Sequence, residues 1–243
     1  MMKRLFLLAV LVAFFSLSHG QISLTYNGKL YRVLQTSIIK DSAGKSYVYA
    51  DWLAMLSSGE YNIKPATPGN EQTSFLLTKL SKEDQQRRLV EAPKPIESNA
   101  FRNKKKIDAF NEKDMKGVRI DSKELKGKIV VLNFWFINCP PCRHERPYLN
   151  ELVKEYSSDS SIVFIAISLD DKPQLETFLQ SNPFSYRVIP NGGGVAKDND
   201  VDQYPTHVIL DKEGKIVFNT VSYNAVTGYW LRKTIEEVKK GRL

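Results

Sequence analysis

Apolar positions change their rhythm along this chain, and the change divides it. From about residue 107 onward, long buried-looking runs alternate with amphipathic ones. Ile129–Phe136 reads IVVLNFWF, apolar except at Asn133, as expected of a strand covered on both faces in a parallel sheet. Leu149, Leu152, Val153 and Tyr156 then recur at helical spacing, predicting a helix from Cys142 to about Tyr156. Ile162–Leu169 is a second buried strand, and Lys172–Gln180 a helix with Pro173 in its first turn. Arg187–Ile189 reads as a short strand, and Gly192–Gly194 as a flexible stretch before another helical piece. His207–Leu210 and Ile216–Phe218 flank Asp211–Gly214 as a hairpin. A closing amphipathic helix from about Val226 to Lys240 turns Trp230, Leu231, Ile235 and Val238 inward. This order predicts an α/β fold with a mixed central sheet flanked by helices.

Residues 21–100 lack that alternation and predict a small N-terminal domain, mostly β or α+β. Ser23–Tyr26, Leu30–Ser37 and Ser46–Ala50 are strand-like, and Asn27-Gly28 between the first two is a hairpin signal. Trp52–Leu56 suggests one or two helical turns ended by Gly59. Phe75–Leu80 suggests a further strand, and Ser81–Asp84 a helix start with a capping acid. No motif in this part carries chemistry. Glu91–Lys106, with Pro93, Pro95 and the basic run Arg102–Lys106, reads as a solvated boundary segment. The expected division is therefore a leader over 1–20, an N-terminal domain over 21–100 and the α/β domain over 101–243.

The leader sets the compartment. Lys3 and Arg4 precede the unbroken apolar stretch Leu5–Phe15, and Ser18-His19-Gly20 supplies small residues at a cleavage position. Eleven apolar residues fall short of the ~20 that span a bilayer, so the expectation is export with a cleaved signal peptide, most simply to a periplasm. Retention of the leader as a membrane anchor is the alternative. Its removal lowers the basic count from 35 to 33 against 27 acidic residues. That net +6 is mild and diffuse, and nothing in it points to nucleic acid.

The only cysteines are Cys139 and Cys142, separated by two prolines, at the predicted strand-to-helix junction. A thiolate at a helix N-terminus is favoured by unpaired N–H groups and the helix dipole. Cys139 is the candidate nucleophile and is expected to be the more exposed thiol; Cys142, one turn inward, is the candidate resolver. Each intervening proline lacks an N–H. Only the Cys142 N–H then remains within the motif to stabilise a Cys139 thiolate, which predicts a reducing couple. A two-residue loop makes a structural disulfide unrewarding. Zinc needs more ligands than His144 and His207 can add. Soft-metal binding, as in copper delivery, could use both cysteines and one histidine.

The segment GKIVVLNFWFINCPPCRHERPYLNEL (127–152), followed by Ile162–Asp170, Tyr204-Pro205-Thr206 and VILDKEGKIVF (208–218), resembles the thioredoxin-like exported thiol–disulfide oxidoreductases of the TlpA/ResA type. Met115–Lys128 is similar to that family's hairpin ahead of the central strand. The resemblance implies a Cys139/Cys142 dithiol–disulfide cycle and a cis-proline at Pro205 facing the pair. It also implies a peptide-contacting backbone at Tyr204, a helix kink at Pro147, and an acid, Glu145, tied to the thiol chemistry. No cofactor is implied. The partners implied are protein thiols and disulfides, with an upstream membrane electron donor. A copper- or haem-delivery module using the cysteine pair is the alternative, and a peroxidase on the related fold is disfavoured by two close thiols. Asn133 stands where thioredoxin has a buried, titrating aspartate, which makes Glu145 the better proton acceptor for Cys142. Asn138 replaces the family's usual tryptophan before the first cysteine.

Overall fold

Short strands built on tight turns form the first of two compact units, which divide between Ala92 and Pro93. The structure is a computed structural model and describes residues 15–16, 21–67, 74–224 and 226–243. Strands β1 (Phe15–Ser16), β2 (Gln21–Tyr26) and β3 (Lys29–Val33) form one antiparallel sheet. Apart from Phe15 and Ser16, the leader-like segment lies outside the described residues. Asn27 and Gly28 close the β2–β3 hairpin with φ of 50° and 75°, the paired positive values that a two-residue hairpin turn requires. Strands β4 (Ile38–Lys40) and β5 (Ser46–Tyr47) lead to helix α1 (Tyr49–Ser57). Strands β6 (Tyr61–Pro65) and β7 (Ser74–Lys79) and helix α2 (Lys82–Glu91) complete the unit, with sheet order β5-β4-β7-β6. Leu24, Val33, Ile39, Trp52, Ile63, Phe75 and Leu77 fill its core.

This unit departs from the apolar pattern in three places. The run Leu30–Ser37 is strand only to Val33 and ends in a turn, where Ser37 N–H donates to the Leu34 carbonyl (3.0 Å) and Leu34 N–H to Ser37 Oγ (2.9 Å). The strand expected over Ser46–Ala50 stops at Tyr47, and helix starts at Tyr49. The helix brings Tyr49 onto the ring of Trp52, three residues on, in an edge-to-face contact at 5.1 Å. Strand β6 was not expected; it lies at the sheet edge, a position that tolerates its terminal Pro65. At α2 the expected cap forms, with Ser81 Oγ accepting from the Asp84 N–H at 3.0 Å.

The second unit opens with the hairpin β8 (Asn111–Lys113) and β9 (Arg119–Asp121). It continues through β10 (Ile129–Trp135), α3 (Pro140–Glu155), β11 (Ile162–Ser168), α4 (Lys172–Ser181) and β12 (Arg187–Ile189). Helix α5 (Gly193–Asp198), strands β13 (Thr206–Leu210) and β14 (Ile216–Val221), and helix α6 (Thr227–Lys239) follow. The sheet order is β12-β11-β10-β13-β14; β11 runs parallel to both β10 and β12, and β13 runs antiparallel to both β10 and β14. This is a thioredoxin-like α/β fold with a mixed central sheet. Every residue of β10 is buried. Strand alternation sends Ile129, Val131 and Trp135 into one core, with Leu149, Leu231 and Ile235, and Val130, Leu132 and Phe134 into the other. Asn133 therefore projects on the face shared with α3 and α6.

Two segments expected to be loose are docked on this sheet. Gly192 donates to the Ser168 carbonyl at 2.7 Å, and a Cβ there would lie 2.3 Å from Ile167 Cγ2. Only glycine permits α5 to begin so close to β11. Upstream, Phe101 is buried with its ring 6.2 Å from that of Phe134. The Ile96 carbonyl accepts from the Val221 N–H (3.2 Å) and from Thr220 Oγ1 (2.8 Å), Ser98 N–H donates to Asn219 Oδ1 (2.8 Å), and the Lys105 carbonyl accepts from the Ile216 N–H (2.8 Å). The segment taken for a solvated boundary thus covers the edge strand β14, an edge that would otherwise present unpaired backbone groups. Within its basic run, Lys104 is tied to Asp108 and Asp200.

Candidate functional site

At the end of β10 the chain turns into α3 across Phe136–Asn138, and the turn is pinned from below. Asp170 Oδ2 accepts from the Ile137 N–H at 2.7 Å and from Ser168 Oγ at 2.8 Å. Cys139 is the N-cap of α3, and Pro140 and Pro141 occupy the first turn, where a missing N–H removes no helical bond. The Cys142 N–H donates to Cys139 Sγ at 3.3 Å. The two sulfurs are joined as a disulfide, with Cα atoms 5.3 Å apart.

Cys139 is not the more exposed of the two. The residues expose 2% and 3% of their surface. In the oxidised pair both sulfurs sit in the core of Trp135, Leu149 and Leu231, with Phe136 and Tyr204 packed against it. The Tyr204–Pro205 peptide is cis. Tyr204 lays its ring edge-to-face on Phe136 at 5.5 Å, and the Phe136 carbonyl in turn accepts from the Cys139 N–H at 3.2 Å. These contacts place the cis-proline step beside the redox turn. Pro147 lies inside α3.

Glu145 is a buried residue rather than a surface acid, exposing 1%. Helix α3 carries it one turn beyond Cys142 and aims it at the sheet. There Asn133 Nδ2 donates to Glu145 Oε1 at 2.9 Å, and His207 Nε2 lies 2.8 Å from Glu145 Oε2. Asn133 and His207 are direct partners in the β10–β13 ladder, and Asn133 Nδ2 approaches His207 Nδ1 at 3.4 Å. His207 is fully buried. Its place beside Glu145 was not expected; the one signal for it was a titratable residue opening the apolar strand His207–Leu210 directly after Pro205-Thr206. Asn133 marked itself as a polar break in an apolar run, at the place where the family resemblance puts thioredoxin's buried aspartate; its bond to Glu145 was not expected.

The surroundings of Glu145 are aromatic. Burial, followed by the nearby Glu145 charge, holds the Tyr186 phenol well above its ordinary range. The same two causes, in the same order, push Tyr223 up to about 12. Arg146 turns away, its guanidinium 4.9 Å from the Phe178 ring and bonded to Asn182 Oδ1 at 2.9 Å. His144 is exposed on α3. His207 is committed to Glu145, so the two cysteines and a histidine do not assemble into a ligand set. Among the described residues no group of three His, Cys, Asp or Glu is placed to hold a metal ion.

The site thus combines a helix-capping dithiol pair, a cis-proline step and a buried carboxylate. Residues 104–219 match the AhpC/TSA family. The thiol-disulfide oxidoreductase ResA of Bacillus thuringiensis subsp. konkukian is 32% identical over 138 residues, covering 56% of this chain and 76% of that protein. The thioredoxin-like protein YneN of Bacillus subtilis is 33% identical over 109 residues, 44% of this chain and 64% of that one. A solution structure from Bacteroides thetaiotaomicron, assigned as a protein disulfide isomerase, superposes with a TM-score of 0.52 at 25% identity over 56% of this chain and 89% of its own. A Chlorobium tepidum structure assigned as the thiol:disulfide interchange protein DsbE gives 0.51 at 24% identity, over 55% and 95%, and agrees in fold. By its identity to ResA over three quarters of that protein's length, and with a cysteine pair capping a helix after the central strand, the chain belongs to the ResA-type thiol–disulfide oxidoreductases.

Proposed function

We propose that this oxidoreductase works as a reductase of protein disulfides outside the cytoplasm, with Cys139 as nucleophile and Cys142 as resolver. The Cys139 thiolate attacks a substrate disulfide, forming a mixed disulfide and expelling one substrate sulfur as thiolate. Cys142 then gives its proton to Glu145, and its thiolate attacks Cys139 Sγ. The second substrate sulfur leaves, two electrons have passed to the substrate, and the enzyme holds the Cys139–Cys142 disulfide. The backbone at Tyr204, held by the cis-Pro205 step, offers the docking edge for the substrate peptide. A membrane thiol donor upstream would return the enzyme to its dithiol. Export follows the leader Lys3–Gly20, cleaved so that the mature chain begins near Gln21.

One observation carries the direction of the reaction. Cys139 Sγ receives the Cys142 N–H, while prolines occupy both positions between them. A thiolate with few backbone donors is poorly stabilised, so the couple should lie near the roughly −270 mV of thioredoxin and far from the roughly −120 mV of a strong oxidant. The test is a Cys142→Ser chain expressed in its own host. Substrates are expected to be trapped on Cys139 as mixed disulfides, and reduced full-length protein is expected to reduce insulin. Absence of any trapped partner, together with a potential near that of the strong oxidants, would overturn the reading.

A further inference from the structure

Glu145 makes two hydrogen bonds that a thiol pair does not itself require, and their geometry specifies protonation. The Asn133 amide nitrogen carries two hydrogens. One goes to Glu145 Oε1 at 2.9 Å, and the other faces His207 Nδ1 at 3.4 Å. An amide oxygen in that place would confront a carboxylate oxygen, so the nitrogen belongs there. With a donor facing it, Nδ1 carries the lone pair, and the ring hydrogen sits on Nε2, the atom 2.8 Å from Glu145 Oε2. Each carboxylate oxygen thus has its own donor, and both donors stand on adjacent strands of a rigid sheet.

The other groups around the carboxylate do not take this place. The phenols of Tyr186 and Tyr223 keep their protons far above neutrality, and Tyr148 is occupied by Arg232 at 2.7 Å. Arg146 is engaged with Phe178 and Asn182. We propose that His207 is a positioning residue for thiol resolution: its Nε2–H holds Glu145 as an oriented carboxylate, ready to receive the Cys142 proton. This inference rests on the reading of Glu145 as proton acceptor. In the step itself the Cys142 S–H bond breaks and an O–H bond forms on Glu145, while His207 remains a neutral donor. Without that donor one oxygen of the buried carboxylate is left unsatisfied and the group loses the second of the two bonds that fix its orientation.

The experiment mixes reduced full-length protein with excess bis(nitrobenzoate) disulfide in stopped flow. Attack by Cys139 releases one coloured arylthiolate, and attack by Cys142 on the resulting mixed disulfide releases the second. His207→Leu is expected to leave the first phase unchanged. It should slow the second about tenfold to a hundredfold at pH 7, the worth of one hydrogen bond to a charged group, and move its pH profile upward. His207→Gln, whose amide nitrogen can stand where Nε2 stood, should restore rate and profile. His207→Asn, whose shorter amide reaches only the Nδ1 position, should repeat the leucine defect and stands in if the leucine chain does not fold. A native second phase in the leucine and asparagine variants, or a glutamine variant as slow as they are, overturns the proposal. Glu145→Gln separates the two readings. If it leaves the second phase native, the acceptor role itself falls; if it alone slows that phase, only the role of His207 does.

Discussion

Glu145 Oε2 and His207 Nε2 meet at 2.8 Å across 62 residues of chain, one on a helix and the other on the strand beneath it. Neither reaches solvent. Burying a carboxylate is costly unless donors satisfy it, and here the sheet supplies two, from Asn133 and His207. The dithiol pair one turn away therefore sits over a prepared polar pocket in an otherwise apolar core.

Asn133→Asp replaces one of those donors by a second acid. Two carboxylates in this site cannot both ionise, so they share a proton in the folded chain, and their folded pKa lies above the unfolded value. The stability of the variant is then fully present below about pH 4 and is lost as pH rises through the folded pKa. Urea unfolding should show a deficit of about 1–3 kcal/mol at pH 7, the cost of leaving a buried acceptor without its donor, shrinking toward pH 4. A deficit independent of pH would contradict the shared-proton account.

Pro141→Ala returns an N–H to the second position of α3, which can join the Cys142 N–H at Cys139 Sγ. A hydrogen bond to a charged acceptor contributes about 1.5–3 kcal/mol. It favours the reduced enzyme, so the potential should rise by about 30–60 mV. Equilibration with glutathione buffers measures it. An unchanged or lower potential would remove the basis for a reducing couple.

Phe101→Ala tests whether residues 93–106 belong to the fold. The ring is 1% exposed and packs on Phe134, so truncation should cost about 3–5 kcal/mol. Denaturant unfolding followed by tryptophan fluorescence should show it. A loss below about 1 kcal/mol would mean the segment is a tether only.

Asp159 should report on the acid side. Hydrogen bonds from Lys239 first, then from Ser161, hold its carboxyl well below the usual range. A depressed carboxylate contributes stability that is present above the unfolded pKa and is lost as pH falls through the folded one. Asp159→Asn should therefore be less stable than the native chain at pH 7, with the gap narrowing as pH falls from about 4 toward 2. Added salt should narrow the gap at pH 7. Parallel melting curves across that range would refute it.

Wherever local pattern and tertiary demand agreed, the chain was legible from its residues alone. The continuous apolar run of β10 could only be a covered strand. Arg187–Ile189 and the closing helix lie where their periodicity puts them, and Asn27-Gly28 closes the hairpin that its backbone freedom favours. The cysteine pair showed its place on a helix start because two prolines fit only there. Contacts between distant elements were not legible. The supposed linker docks because Phe101 finds Phe134. Asn133, Glu145 and His207 become one group only when β10, β13 and α3 are brought together. Period and propensity report which face a residue occupies, whereas a hydrogen bond across 62 residues depends on register and packing that only the folded sheet decides.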